Sequence, residues 1–130
     1  MKVRLTPDDL QRALNQDPEF RLQARYWDGS LRFEFGDDIF WLRLKDGEVK
    51  SVETKGDAKP GIGDVVVSAP VSDWGEMLQP IPRPFYQDFY PALTHHSFKV
   101  EGDPDYIWPY YAAIRRSGQV LRAIATIEGK

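Results

Sequence analysis

Apolar and polar residues alternate through residues 30–54, and this stretch organises the rest of the chain. Every second residue is apolar over residues 31–35 and again over residues 40–44. A period of two is typical of strands that bury one face. Asp46-Gly47 follows, and because both residues tolerate positive φ, the pair predicts a tight reversal into a third strand at residues 49–54. The stretch therefore predicts a three-stranded antiparallel meander whose apolar face the rest of the chain must cover.

Two helix starts precede the meander. Thr6-Pro7-Asp8-Asp9 combines an N-cap hydroxyl, a proline at the first helical position and carboxylates in the first turn, which predicts a helix to about Leu14. Asp17-Pro18-Glu19 repeats this signature and predicts a second helix that ends at Asp28-Gly29. Residues 20–26 also alternate as a strand does, but the start and stop signals favour the helix.

Two further strands and two helices are expected beyond the meander. Residues 55–63 are rich in turn-forming residues and predict an exposed loop. The β-branched run Val65-Val66-Val67 then predicts a strand buried on both faces, which we place centrally in the sheet. Ser72-Asp73 can cap a following helix, and apolar residues recur every four positions over residues 85–93, as in another helix. Alternation over residues 97–101 predicts the fifth strand.

The last long helix is predicted to begin at Gly102-Asp103-Pro104-Asp105. Gly102 is expected to give this junction a backbone conformation that a β-branched residue resists. Pro109 removes a backbone donor within the helix, so we expect a kink or a restart near Trp108. Gly118 predicts the end of this helix, and the apolar tail of residues 120–127 can form a final, half-covering helix.

The composition is that of one globular domain spanning residues 1–130, with 42% hydrophobic and 13% aromatic residues. Its 17 basic and 20 acidic side chains include no basic block, which argues against a nucleic-acid partner. Cysteine is absent, which excludes disulfides and thiolate metal sites. No apolar run approaches the roughly 20 residues that a membrane span requires, and the first residues lack a hydrophobic secretion core. We therefore expect a cytoplasmic protein.

The order of these elements resembles the sterol carrier protein type 2 (SCP2) family over residues 30–118. The resemblance rests on four segments, which are Leu44-Lys45-Asp46-Gly47, Asp64-Val65-Val66-Val67, the helix with Trp74, Met77 and Leu78, and Phe98-Lys99-Val100-Glu101-Gly102-Asp103. It implies an α+β fold in which helices cover one face of a five-stranded mixed sheet, made of the meander and crossover strands. In this family the two layers enclose an apolar cavity for lipids such as fatty acids, acyl-CoA esters or sterols. The C-terminal residues are not a Ser-Lys-Leu peroxisomal signal, so organelle and sterol specificity are not expected to transfer.

Aromatic residues concentrate in the predicted cover, and ten of them lie within residues 74–111. Aromatic side chains dominate ordinary cores, so a filled core under the sheet is one interpretation. Ligand pockets are also mostly apolar and aromatic with a few polar groups, so a cavity is the other interpretation. The candidate ligand-binding residues, taken from both layers, are Phe33, Phe40, Leu42, Trp74, Met77, Phe85, Phe89, His95, Phe98, Tyr106, Tyr110, Tyr111 and Ile114.

The pair His95-His96 is the feature that suggests an enzyme. Adjacent residues of an extended segment point to opposite faces, and the chain has no further histidine and no cysteine, so neither a metal site nor a cofactor is expected. One ring that faced a cavity near Asp88 or Glu101 would form an acid–base dyad, although a capping or surface role is the commoner use of such histidines. No nucleophile elbow, phosphate loop or dinucleotide fingerprint occurs in the sequence.

The outer face of the sheet is expected to be polar apart from one tryptophan. Its predicted members are Arg32, Glu34, Trp41, Arg43, Lys99 and Glu101. Trp41 can mark the surface of a homodimer or of a protein partner.

Three functions remain open at this point. The first is non-catalytic binding or transfer of a hydrophobic small molecule, such as a lipid, a fatty acyl compound or an aromatic polyketide-like compound. The second is a cofactor-free acid–base enzyme that uses His95 or His96. The third is an accessory protein-interaction domain with a filled core. The aromatic cover and the SCP2 resemblance favour binding over catalysis.

Overall fold

The fold combines one five-stranded mixed sheet, a two-stranded sheet and six helices within residues 2–128, the part of the chain that the computed structural model describes. In chain order the elements are β1 (Lys2–Arg4), α1 (Pro7–Gln16), α2 (Pro18–Gln23), β2 (Gly29–Phe35), β3 (Asp38–Lys45), β4 (Glu48–Glu53), β5 (Asp64–Ala69), α3 (Val71–Met77), α4 (Phe89–His95), β6 (Lys99–Gly102), α5 (Pro104–Ile107), α6 (Tyr111–Ile124) and β7 (Thr126–Glu128). The predicted α+β class is confirmed. None of the helices in this part of the chain is long and apolar enough to cross a membrane.

The large sheet has the strand order β4-β3-β2-β5-β6. Strands β2, β3 and β4 form the predicted antiparallel meander, and the turn before β4 uses Asp46 at φ 50° and Gly47 at φ 76°. Strand β5 pairs in parallel with β2 and antiparallel with β6, so that Val67 lies opposite both Phe33 and Val100. Because β5 has a neighbour on each side, it lies inside the sheet, as its β-branched sequence predicted.

The first two helices begin where the sequence predicted. The Thr6 hydroxyl accepts a hydrogen bond from the backbone N–H of Asp9 at 3.1 Å. The Asp17 carboxylate accepts one from the backbone N–H of Phe20 at 2.8 Å. These side chains satisfy N–H groups that have no partner inside the helix, which explains why both starts could be identified locally.

The second helix ends at Gln23, so its predicted end at Asp28 is wrong. The chain instead turns at Tyr26, whose φ is 72°. This turn carries the side chain of Trp27 into the core, where it is fully buried and its Nε1 donates to the carbonyl of Gly63 at 2.9 Å. A long-range hydrogen bond and burial of a large ring therefore outweigh continuation of the helix.

The third helix does not use the predicted cap. It begins at Val71 after Pro70, and no side chain caps its N-terminus. Ser72 and Asp73 lie within its first turn, where Asp73 accepts a hydrogen bond from the hydroxyl of Tyr86 at 2.7 Å. The carboxylate therefore ties this helix to the segment before α4.

The fourth helix begins later than the predicted segment 85–93. Phe85 lies outside it, with φ at 70°, which a helix does not allow. The helix starts at Phe89, whose backbone N–H donates to the Asp88 carboxylate at 2.7 Å. Apolar spacing alone therefore placed the start of this helix one turn too early.

The C-terminal part of the chain contains two helices, because it breaks around Pro109 as predicted. Helix α6 continues past Gly118, so the predicted end there is wrong. The missing side chain of Gly118 leaves room for the ring of Phe89, since a Cβ at this position would lie 2.8 Å from ring carbons. Residues 120–124 of the predicted tail belong to α6 and not to a separate final helix, and residues 126–128 form β7, which pairs with β1 by placing Ile127 opposite Val3.

The core lies between the inner face of the large sheet and the helices. The sheet contributes the fully buried side chains of Leu31, Phe33, Leu42, Val65 and Val67. The helices contribute Leu10, Leu14, Phe20, Trp74, Phe89, Ile114 and Leu121. The candidate site therefore lies between two apolar layers.

Candidate ligand-binding site

Trp74 is the centre of the buried aromatic cluster between sheet and helices. Its ring centroid lies 6.1 Å from that of Phe33, 5.8 Å from that of Phe89 and 4.9 Å from that of Phe98, each in an edge-on arrangement. The indole Nε1 donates to the backbone carbonyl of Glu34 at 2.8 Å, which satisfies its one polar group. We call Trp74, Phe33, Phe89 and Phe98 the Trp74 cluster.

Eight of the thirteen candidate residues are buried. These are Phe33, Phe40, Leu42, Trp74, Met77, Phe89, Phe98 and Ile114. Phe40 lies opposite Phe33 on the neighbouring strand β3, and its ring meets that of Phe35 edge-on at 5.7 Å. Phe35 is fully buried and 4.3 Å from Trp74 between ring centroids, although it was not a candidate. The alternation of β2 could have identified Phe35, since it shares the inner face with Phe33.

Tyr106 and Tyr110 belong to a second aromatic group. The ring of Tyr110 stacks on Trp27 at 4.9 Å and on Tyr106 at 5.7 Å. Burial raises the pKa of the Tyr110 hydroxyl, so this group stays neutral and can act as a hydrogen-bond donor. This stack involves Trp27 and not the Trp74 cluster, so the structure separates Tyr106 and Tyr110 from that cluster.

Tyr111 joins α6 to α4 at the surface. Its hydroxyl oxygen accepts a hydrogen bond from the backbone N–H of Tyr90 at 2.9 Å, and burial together with the nearby Asp88 raises its pKa. The exposed ring of Trp108 lies 6.4 Å from Tyr90 and 6.3 Å from Tyr111. Tyr90, Trp108 and Tyr111 therefore form an aromatic rim where α4 meets α6.

The two histidines stack on different rings. His95 is exposed and lies 3.7 Å from the ring of Phe85, while His96 lies 3.8 Å from the ring of Tyr86 and its Nε2 is 3.1 Å from a backbone carbonyl. Within residues 2–128 neither ring hydrogen-bonds to a carboxylate. Asp88, one of the two expected partners, caps α4 and lies 3.8 Å from Arg115. The histidines thus pack against the segment before α4, and no acid–base dyad forms.

Trp41 lies on the outer face of the sheet but is covered, so it does not form an exposed apolar surface, and a partner at this face stays a prediction. The side chain is 6% exposed. The guanidinium groups of Arg32 and Arg43 lie 4.7 Å and 4.1 Å from its ring, and Gly56 of the loop approaches the ring edge. Arg32 also donates to the carbonyl of Ala58 at 2.8 Å, which holds the loop over the indole. A partner at this face would meet charged side chains and backbone.

A crevice between α3, α4 and α6 leads from the surface to the Trp74 cluster. Its apolar part consists of Met77, Phe89 and Gly118, and two cations, Arg115 and Arg122, stand beside it. The cavity volume is about 10 Å³, room for no more than a single water molecule. The sequence did not predict this crevice, because Gly118 was interpreted as the end of the helix.

A signal for the crevice is nevertheless present in the sequence. Arg115, Gly118 and Arg122 are three and four positions apart, so on a continuous helix they share one face. A helix face on which a glycine lies between two cations is not the continuous polar face that is typical of a solvent-exposed helix.

Several solved structures share this fold. A crystal structure of sterol carrier protein 2 superposes with a TM-score of 0.71 at 21% sequence identity, covering 92% of this chain and 97% of that chain. A solution structure of a conserved hypothetical protein, possibly sterol carrier protein, from Thermus thermophilus gives a TM-score of 0.64 at 20% identity, covering 97% of this chain and 93% of that one. A UbiJ-SCP2 ubiquinone synthesis protein gives 0.54 at 16% identity, covering 85% and 86%.

The likeness resides in the backbone and not in the sequence. No protein-family model matches the chain, and a comparison with curated protein sequences gives no match. The antiparallel meander, the crossover into a parallel internal strand and the covering helices nevertheless agree with the predicted resemblance. This chain has an SCP2-like α+β fold.

Proposed function

We propose that this protein binds or transfers a hydrophobic small molecule between its sheet and its helices, in the cytoplasm and without catalysis. The observation that carries this proposal is the likeness to the sterol carrier protein 2 structure, which covers 92% of this chain at a TM-score of 0.71. The ligand would be a lipid, a fatty acyl compound or an aromatic polyketide-like compound. The Trp74 cluster would form its main contacts.

Apolar burial would supply most of the binding free energy. Ligand sites are lined mainly by apolar and aromatic side chains, with a few polar groups that fix orientation. The Trp74 cluster is of this kind, and the Tyr111 hydroxyl and the cations of the crevice stand at its edge. This arrangement supports a ligand whose apolar part lies among the rings of the Trp74 cluster and whose polar group lies at the surface.

Binding requires the helical layer to move. The rings of the Trp74 cluster contact each other, and the crevice above them holds about 10 Å³. The ligand-free protein must therefore populate a minor state in which a helix and a ring shift. Because only this state binds the ligand, the apparent affinity is the intrinsic affinity multiplied by the fraction of protein in that state.

Helix α4 is the element that we expect to move. It has seven residues, and residues 78–88 before it form neither helix nor strand. Phe85 in that segment holds φ at 70°, which is unfavourable for a side chain of this size. Short elements with few neighbours open at the smallest free-energy cost.

The packed interior also supports a second candidate, an accessory protein-interaction domain with a filled core. In that case the rings around Trp74 serve stability alone, and no small molecule separates them. A partner would then bind elsewhere, for example at the polar face around Arg43. The same experiment separates the two candidates.

Native mass spectrometry of gently purified protein tests the proposal. We expect an added mass from an apolar compound that disappears when the protein is denatured. The Tyr111→Asp variant should lose this mass, because a carboxylate at the aromatic rim must be desolvated against the ligand. Tyr26→Asp is the matched control, since Tyr26 is 75% exposed, and it should keep the ligand.

The repeated absence of any bound compound, combined with no uptake of added long-chain lipids by folded protein, would count against the carrier function. Equal retention of ligand in both variants would place the compound away from the aromatic rim and would contradict a role of Tyr111 in binding.

A further inference from the structure

The crevice between α3, α4 and α6 combines an apolar floor with a cationic edge. Its floor is formed by Met77, Phe89 and Gly118. Phe89 belongs to the Trp74 cluster, so a change in its side-chain rotamer would connect the crevice with the interior. Gly118 allows the backbone of α6 to lie directly against the Phe89 ring, since a Cβ at this position would lie 2.8 Å from that ring.

Arg122 at the crevice edge has no carboxylate partner within residues 2–128. Its Nε donates to the carbonyl of Met77 at 2.9 Å, and one terminal nitrogen lies 3.3 Å from the carbonyl of Tyr86 and 3.5 Å from that of Gln87. Burial lowers the pKa of the Arg122 guanidinium, while the charge of Asp88 acts in the opposite direction. Carbonyl oxygens accept the hydrogen bonds of Arg122 without neutralising its charge, and the guanidinium has five N–H donors.

The other charges at the crevice cancel each other. Arg115 lies 3.8 Å from the carboxylate of Asp88, and Gln87 and Gln119 are neutral. Asp88 also acts on Arg122 at longer range, but it is already shared with Arg115 and with the N-terminus of α4. The edge thus retains one uncompensated positive charge, at Arg122.

We propose that this crevice is the access route for the hydrophobic ligand and that Arg122 binds an anionic head group, so that the protein prefers fatty carboxylates to neutral lipids of equal chain length. The inference rests on the proposed carrier function and adds the charge class of the ligand. A carboxylate at this edge would accept charge-assisted hydrogen bonds from Arg122, while its chain would follow Phe89 into the Trp74 cluster.

Displacement of a fluorescent lipid by hexadecanoic acid and by hexadecanol tests this inference. Wild-type protein should bind the acid about tenfold more tightly than the alcohol, because the acid alone forms a charge-assisted pair. Arg122→Gln should weaken binding of the acid about tenfold and leave binding of the alcohol unchanged. Arg122→Lys should keep most of the preference. Arg83→Gln, an arginine that is 74% exposed, serves as the matched control and should change neither affinity.

The outcomes separate the two proposals. If neither compound binds to folded wild-type protein, the carrier function fails and this inference fails with it. If both compounds bind equally well to wild type, the carrier function stands and the head-group inference is overturned. An equal loss for acid and alcohol in Arg122→Gln, with no recovery in Arg122→Lys, would show that Arg122 acts only by holding Met77 and the α3–α4 segment.

Discussion

Asp17 connects two distant parts of the chain. Its carboxylate caps α2 and accepts two hydrogen bonds from Arg116 of α6, at 2.7 Å and 2.9 Å. The side chain is 13% exposed, so water screens this pair less than a surface pair. The hydrogen bonds from Arg116 hold the pKa of Asp17 below its ordinary value of 3.8.

This lowered pKa predicts how stability depends on pH. A carboxyl group with a lower pKa in the folded state stabilises the protein above its unfolded pKa, and this contribution is lost as the pH falls through the folded pKa. Asp17→Asn should therefore lower the free energy of unfolding by about 1 to 2 kcal/mol at neutral pH. The difference from wild type should shrink once the pH falls below 3.8.

Urea unfolding at several pH values measures this effect. Asp9→Asn is the control, because Asp9 forms a pair with Arg12 in which its side chain is 57% exposed. Such surface pairs contribute little, so this variant should resemble wild type. A penalty for Asp17→Asn that stays constant with pH would contradict an ionic role for the pair.

The sequence predicted the hydrogen bonds of individual side chains only where the two partners are close together in the chain. The caps at Thr6 and Asp17 bond to residues three positions away, and both were predicted. The partner of Asp17 in α6, Arg116, is 99 positions away and was not predicted. Trp27 shows the same limit, because its hydrogen bond to Gly63 exists only once the strands have assembled.

Gly102 determines how β6 turns into α5. Its φ is 125°, and a Cβ at this position would lie 2.2 Å from the carbonyl oxygen of Asp64 in the neighbouring strand. The next residue, Asp103, donates its backbone N–H to that same carbonyl at 2.9 Å. Strand pairing and the start of the helix therefore both depend on a residue without a side chain.

Gly102→Val should destabilise the protein by about 3 kcal/mol, because valine must adopt a disfavoured φ and displace the backbone of β5. Thermal melts followed by circular dichroism measure the change. Gly61→Val is the matched control, since a Cβ there would lie 3.6 Å from its nearest neighbour, an ordinary contact. Equal midpoints for Gly102→Val and wild type would show that the junction tolerates a side chain.

An element was predicted when it was long enough to show a periodic pattern and when its formation did not depend on a partner far away in the chain. The meander, the internal strand β5 and the restart at Pro109 have strong local signals, and all were predicted. Strands β1 and β7 have three residues each, too few to show a period, and they exist because they pair with each other. Helix α6 passes through Gly118 because packing against Phe89 outweighs the low helix propensity of glycine.

At the scale of the whole molecule, the sequence identified the layers but not the space between them. Eight of the candidate residues are buried together, as a common apolar face requires. Whether such rings touch or leave a cavity depends on rotamers and on how closely the helices approach the sheet, which composition does not determine. The rings around Trp74 are in contact in this structure, so the proposed function depends on their separation by a ligand.

A displacement titration with saturated fatty acids of increasing chain length tests the proposed carrier function. Burial of each methylene contributes about 0.8 kcal/mol, so about two more methylenes should tighten binding roughly tenfold. Affinity should then level off once the chain exceeds the space that the helices can open. A flat response across all chain lengths, in protein shown to be folded, would contradict the proposed carrier function.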